Sequence, residues 1–467
     1  MKKIFVSSIT LLLAFISISS AQQWLDTHTY PVTENKEQLR NVFLRSALLN
    51  SGSTVFINDV AGGESRGFVE KNGKLYFVNR TSNNNPGHIA QIFEVDGSTG
   101  DLLNTYDLPA AAYNGLTFSA NDIAIDDAGN IFISNMVTTS GELRITYINP
   151  TQSPMEWETL LSTTVNGRFE TFDVYGDLKN GNGFILVPKS SSNIIHRYNV
   201  TGGVANTTAQ EITISALFPD PPPSAVTGFG QSARIQIISN DRFYLDGAFR
   251  NPTLYNMSGN PVDGFQNNIA LAPTSITPKP DNPADRRGGP TGVTEFTLNG
   301  KHYLIVASAN TDFVTPQQFD LFQFKDDNKN FSDMTFMYRF PNAGMGRTSN
   351  GIASISNVQI INDGSKDKAR IYIYSFRNGY GIYDLMTDVA EEPGSEYDWL
   401  AAPAIFVEGD MASIVGTGSN TFVKFFVNGT EVEFTNGIAD LSGLSGDISL
   451  RATSANASQV IRLKIRR

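Results

Sequence analysis

The chain has 467 residues but no cysteine, only three tryptophans and four histidines, and no long apolar run after residue 21. Without cysteine there are no disulfides, thiolate metal sites or cysteine nucleophiles, so the fold must rest on a buried core rather than on covalent staples. No stretch beyond the first 21 residues is long and apolar enough to cross a bilayer as a helix. The histidines, His28, His88, His196 and His302, form no His-x-His or His-Glu-x-x-His pattern, and no Gly-x-Ser-x-Gly elbow is present. His196 and His302 fall inside alternating strands, where a structural imidazole is expected. The sialidase Asp-box and quinoprotein tryptophan-docking motifs are also missing. The formal charge of −11 makes nucleic acid and anionic lipid poor partners.

What is present begins with a leader. Residues 1–21, MKKIFVSSITLLLAFISISSA, place Lys2 and Lys3 before an apolar run and end in small residues, the pattern of a cleaved export signal. No cysteine follows it, so a lipid anchor at that point is excluded. Its removal takes the charge from −11 to −13. The expected location is outside the cytoplasm: periplasmic, outer-surface or extracellular.

In DIAIDDAGNIFISN (122–135), Ile123, Ile125, Ile131 and Ile133 flank the turn Asp126-Asp127-Ala128-Gly129-Asn130, which reads as strand, tight turn, strand. Equivalent hairpins start near residues 67, 172, 233, 294 and 356, giving steps of 50 to 62 residues between neighbours. Each step has room for about four short strands, and a third polar-ended strand recurs in QIFEVD, ELRITYINP, NIIHRYNV, FDLFQF and NGYGIYDL. Repetition at this length points to an all-β fold, a β-propeller of six or seven blades. A seventh would need the N-terminal WLDTHTYPVT segment as a strand of its own blade. The Pro-rich stretches 217–228 and 277–292 are expected as rim connections. The propeller is assigned to residues 22–395 and a small β-sandwich-like module to 400–467, where the pattern shifts to short strands with Asn-Gly turns.

Three resemblances add to this reading. Phe425 to Gly429, Asp440 to Leu444, Ile448 to Ala452 and Val460 to Arg467 resemble the C-terminal sorting domains of the Bacteroidetes type IX secretion system, although the usual Tyr-Pro-Asn-Pro opening is missing at Ala404 to Glu408. That resemblance implies delivery to the outer surface. SANDIAIDDAGNIFISN (119–135) is similar to the second-blade segment of calcium-dependent lactonases and phosphotriesterases of the gluconolactonase and regucalcin kind. It implies a central Ca²⁺ with Asn121 and Glu64 as ligands and Asp173 nearby, although Arg234 occupies the register where another oxygen ligand is wanted. As a whole the chain resembles uncharacterised secreted propellers of Bacteroidetes more than any enzyme family.

Arg66, Arg168, Arg234 and Arg347 each fall at or just before a first-strand entrance, where a propeller lines one mouth of its central opening. Four guanidiniums converging in an acidic protein would favour carboxylates or sulfates. Alternatively, each pairs with a nearby acid such as Glu64, Glu170 or Asp173 and only ties loops together. Tyr113 offers a stacking face for a sugar ring, or plain packing. Asp126-Asp127 lacks the spacing of a calcium loop and is read as a turn. The leading function is a noncatalytic binding or interaction protein for a glycan, peptide or protein, without a cofactor. The alternatives are the Ca²⁺-dependent hydrolase and a structural surface protein.

Overall fold

The protein is described by a computed structural model. It covers residues 26, 28, 30–46, 65–80, 89–116, 118–218, 228–230, 233–247, 250–268, 271, 289–309, 317–346, 354–362, 364, 366–389 and the strands between 404 and 465. The leader, Glu64, Arg347 and most of both Pro-rich stretches lie outside the described residues.

The six hairpins become the first two strands of six four-stranded antiparallel sheets, with a fifth strand added in blade 3. Blade 1 runs Phe68–Lys71, Lys74–Asn79, Gln91–Asp96 and Leu102–Asp107. The first strands of blades 2 to 6 are Asp122–Ile125, Asp173–Gly176, Arg234–Ile237, Gly289–Leu298 and Ser354–Asn362. Each touches the next, and that of blade 6 returns to Phe68–Lys71, so the ring is closed at six. WLDTHTYPVT supplies no seventh blade. The N-terminal contribution comes later, as Gln38–Ser46, which pairs with Gly379–Met386 and forms the outer edge of blade 6. A strand taken from the opposite end of the chain thus fastens the ring, and it begins five residues after the end of the WLDTHTYPVT segment.

Local chemistry explains the hairpins. Asn72-Gly73 and Asn299-Gly300 have positive φ at both residues, 54° and 76° in the first and 49° and 77° in the second. That is the type I′ geometry whose twist matches the flanking strands. Second strands such as KLYFVN, IFIS and GFILVP are buried almost end to end. They read as continuous apolar runs because both faces of each blade are covered by neighbours.

The core is accordingly divided among the seams between blades. Phe132 and Leu161 of blade 2 pack with Val174 and Tyr198 of blade 3, and Phe68 and Phe77 of blade 1 pack with Tyr374 and Tyr380 of blade 6. Each such ring contributes about 2–3 kcal/mol through burial. Backbone carbonyls accept from buried tyrosine hydroxyls such as Tyr374, which donates to Ser65, and Tyr255, which donates to Ala216. At the C-terminus, eight short strands form two four-stranded antiparallel sheets, one containing Ala404–Glu408 and Met411–Val415, the other Gly446–Thr453 and Ser458–Ile465.

Candidate functional site: an arginine-rich mouth

All six first strands begin on one face of the ring, here the entrance face. Connections on this face are long: one strand ends at Ser46 and the next starts at Phe68, and another pair is separated by Gly264 and Gly289. On the opposite, hairpin face the turns between first and second strands are two to six residues long. Long connections on a rigid frame are where binding groups are usually carried.

Arg234, on the first strand of blade 4, reaches to two other blades. Its Nη1 donates to both carboxylate oxygens of Asp122 at 2.8 and 2.9 Å, and Nη2 donates to the Arg66 carbonyl at 2.7 Å. Asp122 is buried on the first strand of blade 2. Burial pushes its carboxyl up, opposed by the charge and hydrogen bonds of Arg234. Arg168 donates through Nη2 to Glu170 Oε1 at 2.6 Å, and the other oxygen of Glu170 accepts from Ser190 Oγ at 2.9 Å.

Arg66 is buried against the Phe376 ring, its guanidinium carbon 4.8 Å from the centroid, and Arg377 stands 5.0 Å from the same ring. Burial lowers the Arg66 pKa; Glu170 partly offsets this, and the charges of Arg168 and Arg234 lower it further. Arg80, at the end of the second strand of blade 1, is lowered to about 10 by burial, with Glu170 opposing and Arg168 and Arg377 adding to the effect. Five guanidiniums therefore feel one another around Glu170 and Asp122. The convergence expected from sequence holds for Arg66, Arg168 and Arg234. Arg347 and Glu64 lie outside the described residues.

The pairing alternative also holds in part. Arg168 takes Glu170, but Arg234 takes Asp122 rather than Asp173. Asp173 instead accepts from its own Val174 N–H and from that of Ile237 in blade 4, at 2.9 and 2.7 Å. Burial pushes its carboxyl up to about 7, the backbone donors restrain the rise, and the charges of Asp122 and Asp127 add to it. Asp246, on the second strand of blade 4, is pushed up by burial to about 8 despite the Arg234 charge and approaching backbone N–H groups. Neither of its carboxyl oxygens has a hydrogen bond of good geometry.

Asn121 is placed differently from the expectation for a metal ligand. Its Oδ1 accepts from Arg80 Nη1 at 2.8 Å and its Nδ2 donates to the Glu170 carbonyl at 2.6 Å. An amide oxygen facing a guanidinium is a poor donor to a dication, and no group of three acidic or histidine side chains that could hold a metal ion occurs among the described residues. Asn121 belongs instead to a polar belt joining adjacent blades. Thr171 in that belt donates to the Ala233 carbonyl, Thr294 to that of Ser356, and Asn357 to that of Phe68.

Tyr113 does not join the arginines. It is half-buried in the link from blade 1 to blade 2, packed with the cluster that contains Leu108 and Ala90, over the outer strands. Asp126 confirms the turn reading: Oδ1 accepts from the Ala128 and Asn130 N–H groups, and Oδ2 from Asn130 Nδ2 and from Leu178 N–H of blade 3. His196 packs 4.8 Å from the Phe169 ring and pairs with the Tyr198 hydroxyl, and His302 with Thr297. Asp122, Arg80 and Asp246 were not singled out by sequence. The signal for Asp122 was the residue beside Asn121, since the strand period of two exchanges the side chain facing the axis between neighbours.

No family model matches the chain, and no curated protein does. Among solved structures it is similar to a DUF4623 family protein from Bacteroides eggerthii, with 14% identity, 78% of each chain covered and a TM-score of 0.51. A subtype N10 neuraminidase-like protein of A/little yellow-shouldered bat/Guatemala/060/2010 shows 11% identity over 69% of this chain and 95% of its own, with a TM-score of 0.37. An α-L-arabinofuranosidase from Podospora anserina shows 10% identity over 78% and 99%, with a TM-score of 0.33. The first comparison supports the propeller fold. No described helix is long and apolar enough to cross a membrane.

Proposed function

We propose that the protein is an exported, noncatalytic binding propeller whose entrance-face mouth takes an anionic group, a carboxylate or sulfate, carried by a glycan, peptide or protein partner. One observation carries this reading: Arg168 and Arg234 stand at adjacent blade entrances with guanidinium donors left over. Arg168 spends one donor on Glu170, and Arg234 leaves its Nε without a partner among the described residues. The Arg168 side chain is 30% exposed, so it is reachable from solvent. Guanidiniums that are desolvated and mutually repelling are stabilised by an incoming anion, which they can bind in a bidentate manner.

The test is isothermal titration of the chain with glucuronate, acetate and sulfate at low and high salt. Binding is expected that weakens with salt and falls at least about tenfold in Arg168→Ala. Absence of heat with all three anions, or binding indifferent to Arg168, removes the proposal.

A further inference from the structure

Arg234 lies across the axis of the ring. In a closed ring of six, blade 4 stands opposite blade 1, yet Arg234 Nη2 donates to the Arg66 carbonyl of blade 1 at 2.7 Å while Nη1 donates to Asp122 of blade 2. The side chain therefore bars the central opening at the entrance face. It can reach so far because first strands are the innermost of each blade and Arg234 is the first residue of its strand.

A second acid stands beside it. Arg234 and Asp246 are directly paired across the first two strands of blade 4. Side chains at paired positions leave a sheet on the same side, with Cβ atoms about 5 Å apart. That side faces blade 5, because Gln236, two residues along from Arg234, accepts from the Glu295 N–H, and Tyr244, two before Asp246, donates to the Glu295 carboxylate. Asp246 is 1% exposed and neither of its carboxyl oxygens has a hydrogen bond of good geometry. Two idle acceptors and the idle Nε of Arg234 thus sit within one cross-strand pair. They are the components of a bidentate guanidinium–carboxylate pair. Burial pushes the Asp246 carboxyl up to about 8, with the Arg234 charge opposing, so it stands largely neutral at pH 7 and tolerates having no partner. The titratable neighbours of Arg234 on other blades include Asp122, Arg66 and Tyr374.

We infer that Arg234 is a gate with two docks: on Asp122 it closes the central opening, and on Asp246, reached by rotation about its own side-chain bonds, it clears the opening. Asp246 gives its proton to solvent as the guanidinium arrives, so each state keeps one ion pair. The open state leaves the Asp122 carboxylate uncovered. The axis therefore presents a guanidinium when closed and a carboxylate when open. The gate does not depend on anion binding at the mouth, so either can fail alone.

The experiment is a double-mutant cycle on the full chain, read by thermal melts at pH 7 and by crystal structures of the folded variants. Asp246→Asn alone should leave Tm unchanged or raise it, since the carboxyl has no partner to lose. In an Asp122→Ala background the same substitution should lower Tm by at least about 2 °C, because Asp246 has become the acid that holds Arg234. The structure of Asp122→Ala should show the Arg234 guanidinium about 3 Å from the Asp246 carboxylate. Asp122→Asn, which keeps the volume and removes the charge, serves in the same way if Asp122→Ala does not fold. The inference is overturned if Asp246→Asn has the same effect in both backgrounds, or if Arg234 in the Asp122 variants still crosses the opening or turns to solvent.

Discussion

The two faces of the ring use acidic and basic side chains to different ends. On the hairpin face, Asp126 and Asp127 are consumed by backbone N–H groups of their own turn and of blade 3. On the entrance face, guanidiniums outnumber the acids beside them among the described residues, and Arg234 crosses from blade 4 to Asp122 of blade 2. The acids of the hairpin face are saturated by backbone, whereas those of the entrance face are met by guanidiniums. Which partner saturates a charge separates the two faces better than charge does.

The contrast can be broken at several points. The largest effect is expected from Arg234→Ala, which strands the buried Asp122 and should cost about 3–5 kcal/mol in urea unfolding. Asp126→Ala removes four accepted hydrogen bonds and one fastening between blades, and should cost about 2 kcal/mol by the same measurement. Asp246→Asn tests the buried carboxyl. With a folded pKa of about 8, above that of the unfolded chain, Asp246 contributes stability that is complete below about pH 4 and is lost as pH rises through about 8. Asp173 acts in the same sense through about 7. Asp246→Asn should therefore gain roughly 1 kcal/mol at pH 9 in thermal melts and lose the alkaline decline that the parent shows. Arg168→Ala should cost about 1–2 kcal/mol of stability, since it takes a donor from the buried Glu170 carboxylate, which keeps the Ser190 hydroxyl. Its loss of anion binding is what distinguishes the mouth from the turns. The smallest effect is expected for Ca²⁺: titration of EDTA-stripped protein should give no heat that depends on Asn121. Tight binding abolished in Asn121→Ala would mean that Arg80 vacates the amide oxygen.

The architecture was legible because it is periodic. Alternating apolar residues around Asn-Gly and Asp-Gly turns fix hairpins locally, and their recurrence near 67, 122, 172, 233, 294 and 356 marks six blades that the first strands at Phe68, Asp122, Asp173, Arg234, Gly289 and Ser354 reproduce, while only the closure of the ring decides against a seventh. The closing strand was missed because Gln38–Ser46 pairs with residues distant in sequence and carries no turn signal of its own. At the mouth, position along a strand showed which arginines converge, since every blade starts on the same face. It did not show which acid each would meet. Asp122 and Asp173 lie at equivalent strand starts, and only the path of the Arg234 side chain across the opening decides between them.

The strand Gln38–Ser46 has a kinetic consequence. Its pairing with Gly379–Met386 joins segments roughly 350 residues apart, a closure whose chain-entropy cost is about 5 kcal/mol. Blades 1 to 5 draw all their strands from contiguous sequence and can form as the chain emerges, whereas blade 6 must wait for a strand made long before it. The ring should therefore zip shut last, and until it does, blades 1 and 6 each leave an apolar flank open to solvent or to chaperones. A cut between Ser46 and Phe68 after folding would leave every blade intact, while loss of the first 46 residues beforehand would leave a curved row of sheets with nothing to lock its ends.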